Sequence, residues 1–265
     1  MHTGFLKKLA AQRLDDDNPI NYYLPLDNHK ILLNDYINEK ITLTYSGDIR
    51  CINCNCLTHK SYAQGHCYPC FATLASCDMC MMKPETCHHH RGTCRDNEFA
   101  TDYCFNPHIV YLAVSSNVKV GITNETQKLI RWTDQGASYA MVLAVVPDRK
   151  TAGNIEIELA KHIADRTNWR KMLSNNIPEI DLIEQKHNLA QKLPKDLIKH
   201  LSDDNTITHI TYPTTHFPDK IKSLNFDKTP TISKTLRGIK GQYLIFDDAV
   251  INLRKFQGYE IMFTC

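Results

Sequence analysis

Ile109-Val110-Tyr111-Leu112-Ala113-Val114-Ser115-Ser116-Asn117-Val118-Lys119-Val120-Gly121-Ile122-Thr123 is the stretch that decides the fold. Residues 109–114 form an apolar run of strand length, 115–117 are turn formers, and 118–123 is rich in β-branched residues, so the spacing predicts a hairpin. Working outward, 125–134 reads as a short helix and 139–146 as a third strand. A helix then opens at Thr151, with Ile155, Leu159 and Ile163 repeating every four residues on one apolar face. Residues 178–201 are helical and polar-rich with a break at Pro194, and 202–235, with Pro213, Pro218 and Pro230, read as loop and linker. The chain ends in β-structure at 242–246, 250–253 and 259–263. Upstream, 20–50 is a β-rich lead-in, with Tyr22-Tyr23-Leu24 and Ile41-Thr42-Leu43-Thr44-Tyr45 as strands and Ser46-Gly47-Asp48 as a turn. Each end alone has too few strands for a stable sheet, so the strands around 41–45 and those of the C-terminus are expected to close one small barrel.

Ten of the 11 cysteines lie between Cys51 and Cys104. Cys51-x2-Cys54 and Cys67-x2-Cys70 are two thiol pairs at zinc-ribbon separation, each pair forming a turn that aims two thiolates at one tetrahedral ion. Cys56 and His66 fall inside that loop as spectators or as neighbours of the ligands. A second set follows: Cys77-x2-Cys80 as a pair, completed from Cys87, Cys94 and Cys104, with the run His88-His89-His90 as further candidates. Four protein ligands leave no position for water, which is the pattern of a structural ion, and a segment this poor in aliphatic residues has to draw folding energy from metal. Two structural Zn2+ sites are therefore expected.

The 265 residues carry 31 Lys+Arg against 29 Asp+Glu, a formal net charge of +2, and are 42% hydrophobic. That balance excludes a chain disordered throughout and a histone-like polycation, while leaving room for a local basic face. No apolar run approaches the ~20 residues of a spanning helix. Residues 1–14 run into Asp15-Asp16-Asp17 and do not read as a secretory signal, so a cytoplasmic protein with no membrane partner is expected. Clustered thiols fit a reducing compartment.

Val110-Tyr111-Leu112-Ala113 followed by Lys119-Val120-Gly121-Ile122-Thr123, with Arg131-Trp132 on the next helix and Glu156 on the one after, resembles the core of the GIY-YIG nuclease superfamily over about residues 109–170. The resemblance implies a tyrosine that helps activate water (Tyr111), a glycine where backbone approaches substrate (Gly121), an arginine on the phosphate (Arg131) and a glutamate holding Mg2+ or Mn2+ (Glu156). The sequence departs from that pattern at Lys119, where a second tyrosine is usual, and at Gln135, where a histidine is common. Asn168 stands in for the terminal asparagine. The larger pattern, with the double Cys clusters, Arg131-Trp132-Thr133-Asp134-Gln135-Gly136-Ala137, Asp165-Arg166-Thr167-Asn168-Trp169-Arg170 and Gly238-Ile239-Lys240-Gly241-Gln242-Tyr243, is similar to an uncharacterised bacterial and archaeal family that supplies no activity to carry over.

Bland readings stand beside these. Tyr111 also suits a strand core, Arg131 can pair with Asp134 or Glu125, Glu158 competes with Glu156 for the metal, and Trp132 and Trp169 suit core packing as well as base stacking. Lys240 and Arg254, among the aromatic residues of the last strands, and Arg170 complete the candidate nucleic-acid contacts with Gly121 and Trp132.

Together these readings give an α+β protein of zinc-ribbon-like modules, a GIY-YIG-like domain with a small antiparallel sheet, and a small β-barrel-like unit. Its segments are 1–50, 51–107, 108–176, 177–235 and 236–265. The expected function is nucleic-acid (DNA or RNA) binding with divalent-metal-dependent endonuclease activity. The alternatives are a non-catalytic RNA-, ribosome- or tRNA-binding module, and a zinc-stabilised scaffold with a protein partner.

Overall fold

The computed structural model describes residues 1–163, 168–218 and 221–265. The elements run in the order β1 (His2–Phe5), β2 (Ala10–Gln12), β3 (Asn21–Leu26), β4 (His29–Leu32), β5 (Lys40–Ile49), α1 (Tyr68–Thr73), α2 (Asn97–Phe99), β6 (His108–Val114), β7 (Val118–Asn124), α3 (Lys128–Asp134), β8 (Tyr139–Val146) and α4 (Arg149–Leu159). They continue with α5 (Trp169–Leu173), α6 (Leu182–Ala190), α7 (Lys195–Ile198), β9 (Thr208–His209), β10 (Lys222–Ser223), β11 (Thr231–Lys240), β12 (Tyr243–Phe246), β13 (Ala249–Asn252) and β14 (Tyr259–Thr264). The fold is mixed α+β with several small sheets. One unit comprises Met1–Ala72, Leu173–Asn175 and Ile210–Cys265, the other Thr73–Met172 and Asn176–His209. The divide after Ala72 assigns the two cysteine clusters to different units. Among the described residues no helix is long and apolar enough to cross a membrane.

In the first unit a seven-stranded sheet runs β1-β14-β5-β11-β12-β13-β10, and a three-stranded sheet runs β2-β3-β4. The N-terminal strand β5 is sandwiched between C-terminal strands as its sequence suggested, with Leu43 opposite Phe263 on one side and Ile232 on the other. All three side chains are at most 3% exposed, because alternate residues of each strand point to the same buried face.

The sheet does not close into the expected barrel. Strand β11 pairs with β5 through Thr235 and with β12 from Leu236 onward, with a register shift between Leu236 and Gly238. That irregularity passes the sheet from one set of partners to the next. The edges are β1 and the two-residue β10, which pair only inward, so the sheet stays open among the described residues.

In the second unit the four-stranded sheet runs β7-β6-β8-β9. All seven residues of β6 are buried, which is why its sequence reads as an apolar run rather than an alternation. Val110, Leu112 and Val114 pack with Val120, Ile122, Met141 and Leu143 against Ala152, Ile155 and Leu159 of α4 and Leu182 and Leu189 of α6. Helix α4 starts two residues earlier than its apolar repeat suggests, because Asp148 caps it, accepting from Thr151 N at 2.8 Å and Thr151 Oγ1 at 2.9 Å.

Candidate functional site

Residues of β6 alternate in direction, so Tyr111 points away from Val110 and Leu112 and toward α3. Opposite it in register is Gly121, over which the ring lies. A Cβ at Gly121 would sit 2.6 Å from the Tyr111 hydroxyl, so only glycine lets the ring cross β7. Trp132 meets the ring edge-on at 5.9 Å. The Tyr111 side chain is fully buried, and its hydroxyl donates to Gln135 Oε1 at 2.7 Å.

Burial pushes the Tyr111 pKa up. The Arg131 guanidinium opposes that by its charge and by a hydrogen bond, Glu156 raises it further, and Gln135 lowers it. Three side chains from α3, its C-terminal end and α4 thus act on one hydroxyl. Lys119, on the strand beside Tyr111, is 7% exposed; burial, then the charge of Arg131, lowers its pKa to about 8. Two buried donors here, Arg131 Nε and Trp132 Nε1, meet no acceptor among the described residues. Two cations, Arg131 and Lys119, and two unpartnered buried donors therefore lie in the neighbourhood of Tyr111.

The alternatives separate on geometry. Glu158 holds Lys161 at 2.5 Å in a surface pair, whereas Glu156 reaches the Tyr111 hydroxyl by charge. Gln135, which reads in the sequence as a lost histidine, is the acceptor for Tyr111. Asn168 spends its Oδ1 on the amides of Arg170 and Lys171, capping α5, and its own amide donates to Ser116 Oγ in the hairpin turn at 2.8 Å. Asp165-Arg166-Thr167 of the same motif lie outside the described residues.

In the first unit Cys51, Cys54, Cys67 and Cys70 offer four sulfurs all within 4.8 Å of one another. Cys54 and Cys67 Sγ are 3.7 Å apart, close to the edge of about 3.8 Å for a tetrahedron with metal–sulfur bonds of about 2.3 Å. Asn53 Nδ2 donates to Cys70 Sγ at 3.4 Å. Burial pushes the Cys51 thiol up, but the backbone amides of Cys54, Cys67 and Asn53 outweigh it and hold the thiol at about 6. At Cys70 the Asn53 amide lowers the pKa, while burial and the thiols of Cys67, Cys54 and Cys51 drive it up to about 12. One thiol ionises easily and its charge resists the next, a repulsion that a dication removes. The set fits a metal ion. It is anchored on the sheet by Arg50 N to Gly258 O at 2.7 Å and Ile52 N to Gly65 O at 2.9 Å.

The family described as "Protein of unknown function (DUF2797)" matches residues 38–261. The chain belongs to this family. No curated protein and no solved structure matches the chain. The DUF2797 span starts just before β5 and ends within β14, so it contains both the Tyr111 centre and the four-thiol site.

The remaining sequence candidates of this DUF2797 protein are spread out. Arg170 is exposed and stacks on Trp169 at 4.3 Å. Arg254 donates through Nε to Gln64 Oε1 at 2.7 Å, bracing the loop between the two Cys pairs. Lys240 is 1% exposed, its ammonium 5.3 Å from the Tyr212 ring, so the structure moves it from the surface into the interior of the first unit. Burial lowers its pKa to about 8.

In the second cluster Cys77, Cys80, Cys87, Cys94 and Cys104 are all half-buried. A group absent from the sequence reading organises its start. Asp78, 9% exposed, accepts from Arg95 Nε at 2.7 Å, lies 3.4 Å from His88 Nε2, and caps the Cys80 amide at 3.3 Å. Asp78, Cys80 and His88 also place three potential ligand atoms within 4.8 Å of one another.

Proposed function

We propose that this protein binds nucleic acid at the Tyr111 centre and cleaves a phosphodiester there with a divalent metal on Glu156. One observation supports the reading: Gln135 accepts from the Tyr111 hydroxyl above Gly121, with Arg131 and Glu156 near enough to act on that hydroxyl by charge. Arg131 and Lys119 supply the positive charge that a phosphate and its transition state require. Mg2+ or Mn2+, held by the Glu156 carboxylate together with water and phosphate oxygens, would supply Lewis acidity and a water of lowered pKa. With its pKa raised and its one O–H donated to Gln135, the Tyr111 hydroxyl keeps only acceptor capacity and positions the attacking water rather than abstracting a proton. Cys51, Cys54, Cys67 and Cys70 would hold Zn2+, which would brace the fold, and the protein works in the cytoplasm, where the thiols stay reduced.

A second reading, binding of RNA or DNA without cleavage, draws on the complete burial of Tyr111. Incubation of the purified protein with labelled DNA and RNA, with and without Mg2+ or Mn2+, separates the two. Metal-dependent strand scission supports the first, and tight binding with no scission under any metal supports the second.

A further inference from the structure

Residues 73–107 form no strand, and only Ala75, Asp78, Pro84 and Ala100 among them are buried. Apolar burial on that scale does not hold 35 residues in place. Yet the segment grips α4: a Cβ at Gly153 would lie 2.6 Å from Pro84 Cβ and 2.8 Å from the Glu85 amide. The contact admits only glycine. It requires the turn between Cys80 and Cys87 to be fixed.

A cavity of about 20 Å3 lies in this segment, lined by Cys80, Cys87, Cys104, Pro84, Phe105, Arg149 and Lys150. That volume suits one atom, as a single water needs ≳10–15 Å3, and it is too small for an iron–sulfur cluster. Cys94 stands outside this lining, but it is the one residue of 91–98 that is not exposed, and it is near enough to act on Cys104 by charge, as Cys87 is. Arg149 is 9% exposed, donates to Met81 O at 2.6 Å, and keeps a buried Nε–H with no acceptor among the described residues. An orphaned guanidinium donor beside three thiols is the partner that metal-bound thiolate sulfur takes.

We propose that Cys80, Cys87, Cys94 and Cys104 bind a second Zn2+ in this cavity, with Arg149 donating to the thiolates, and that this ion clamps the segment to α4. The metal draws the four sulfurs in, and Arg149 and Lys150 offset the charge of the tetrathiolate. Neither Asp78 nor His88 lines the cavity, and Asp78 already holds the Arg95 guanidinium at 2.7 Å. Cys77 neither lines the cavity nor stands among the thiols whose charge acts on Cys104. The inference concerns the architecture of α4 and stands whether or not the Tyr111 centre cleaves.

The test is zinc content by native mass spectrometry of the full chain, joined to alkylation mapping of the unmodified protein. Wild type should carry about two zinc ions, one per tetrathiolate. Cys87→Ser and Cys104→Ser should each lose one, and Cys77→Ser and His88→Ala should lose none. On wild type, Cys80, Cys87, Cys94 and Cys104 should resist alkylation until a chelator is added, while Cys77 reacts with or without it, a readout that needs no variant to fold. One zinc in the wild type, iron in place of zinc, zinc lost from Cys77→Ser or His88→Ala, or chelator-independent alkylation of Cys94 or Cys104 would each overturn the assignment.

Discussion

The two cysteine segments solve the same problem in different ways. Residues 51–72 present four sulfurs already gathered, one pair at a tetrahedral edge, because hydrogen bonds tie the loops to neighbouring backbone. Residues 73–107 have no sheet of their own and start from a polar knot, the Asp78–Arg95 ion pair with His88 beside it, next to thiols spaced around a small cavity. The first segment brings its four sulfurs together within 4.8 Å, whereas in the second the proposed ion would do the gathering. Around both, β-rich scaffolds supply the apolar burial that short, cysteine-rich loops lack.

That contrast breaks first at the thiols. Cys70→Ser should remove zinc from the first unit and forfeit folding free energy on the order of 10 kcal/mol. Cys56→Ser, an exposed thiol in the same loop, should change stability by less than about 0.5 kcal/mol. Zinc content and urea unfolding measure both, and similar losses would remove the four-ligand assignment. Next in size is Leu112→Ala, which opens a cavity in the metal-free core of the second unit and should cost about 3 kcal/mol without releasing zinc. Zinc release on that change would show that core and metal segments do not fold on separate supports.

The buried lysines extend the comparison to pH. In the unfolded chain a lysine keeps its proton to about pH 10.4. In the folded protein Lys119 and Lys240 keep theirs only to about 8. Between those values the unfolded state binds more protons, so each lysine makes stability rise with pH and costs most below pH 8. Lys119→Met and Lys240→Met should each flatten that rise in urea midpoints. Only Lys119→Met should also weaken nucleic-acid binding; equal weakening by Lys240→Met would return Lys240 to the binding surface. The smallest effect expected is on salt dependence. Arg131→Ala should reduce the slope of log affinity against log salt by about 1, while Arg254→Ala leaves it unchanged.

What the sequence made legible follows from how local each signal is. The strands of 108–146 announce themselves because a doubly covered sheet needs continuous apolar residues, and Ser115-Ser116-Asn117 supplies the turn. Strands β1, β2 and β4, reading HTGF, AAQ and HKIL, carry no period and are visible only through their partners. Barrel closure was expected from strand count, but whether a sheet closes depends on register, and the shift at Leu236/Gly238 lies in no local pattern. At the Tyr111 centre Arg131, Gln135 and Glu156 all act on one hydroxyl, from positions 20 or more residues along the chain. Gln135, however, reads as a deficit until its carbonyl is seen accepting the hydrogen bond of the Tyr111 hydroxyl. In the second cluster, Cys-x2-Cys spacing draws the eye to Cys77 with Cys80, whereas the cavity collects Cys80 with Cys87 and Cys104. Asp78 and Arg95, 17 positions apart in the chain, had no spacing to betray them.

The central claim is that Glu156, beside Tyr111, holds the divalent metal for phosphodiester cleavage. The measurement is single-turnover cleavage of end-labelled DNA and RNA in Mg2+ or Mn2+ by wild type and Glu156→Gln, with binding of the same substrates followed in parallel. The account predicts scission by wild type, a loss of about 10²-fold or more in Glu156→Gln, and binding retained within a few-fold. Glu158→Gln, which touches only the surface pair with Lys161, should cleave like wild type. Equal cleavage by wild type and Glu156→Gln would contradict the account, as would the absence of any scission alongside tight binding.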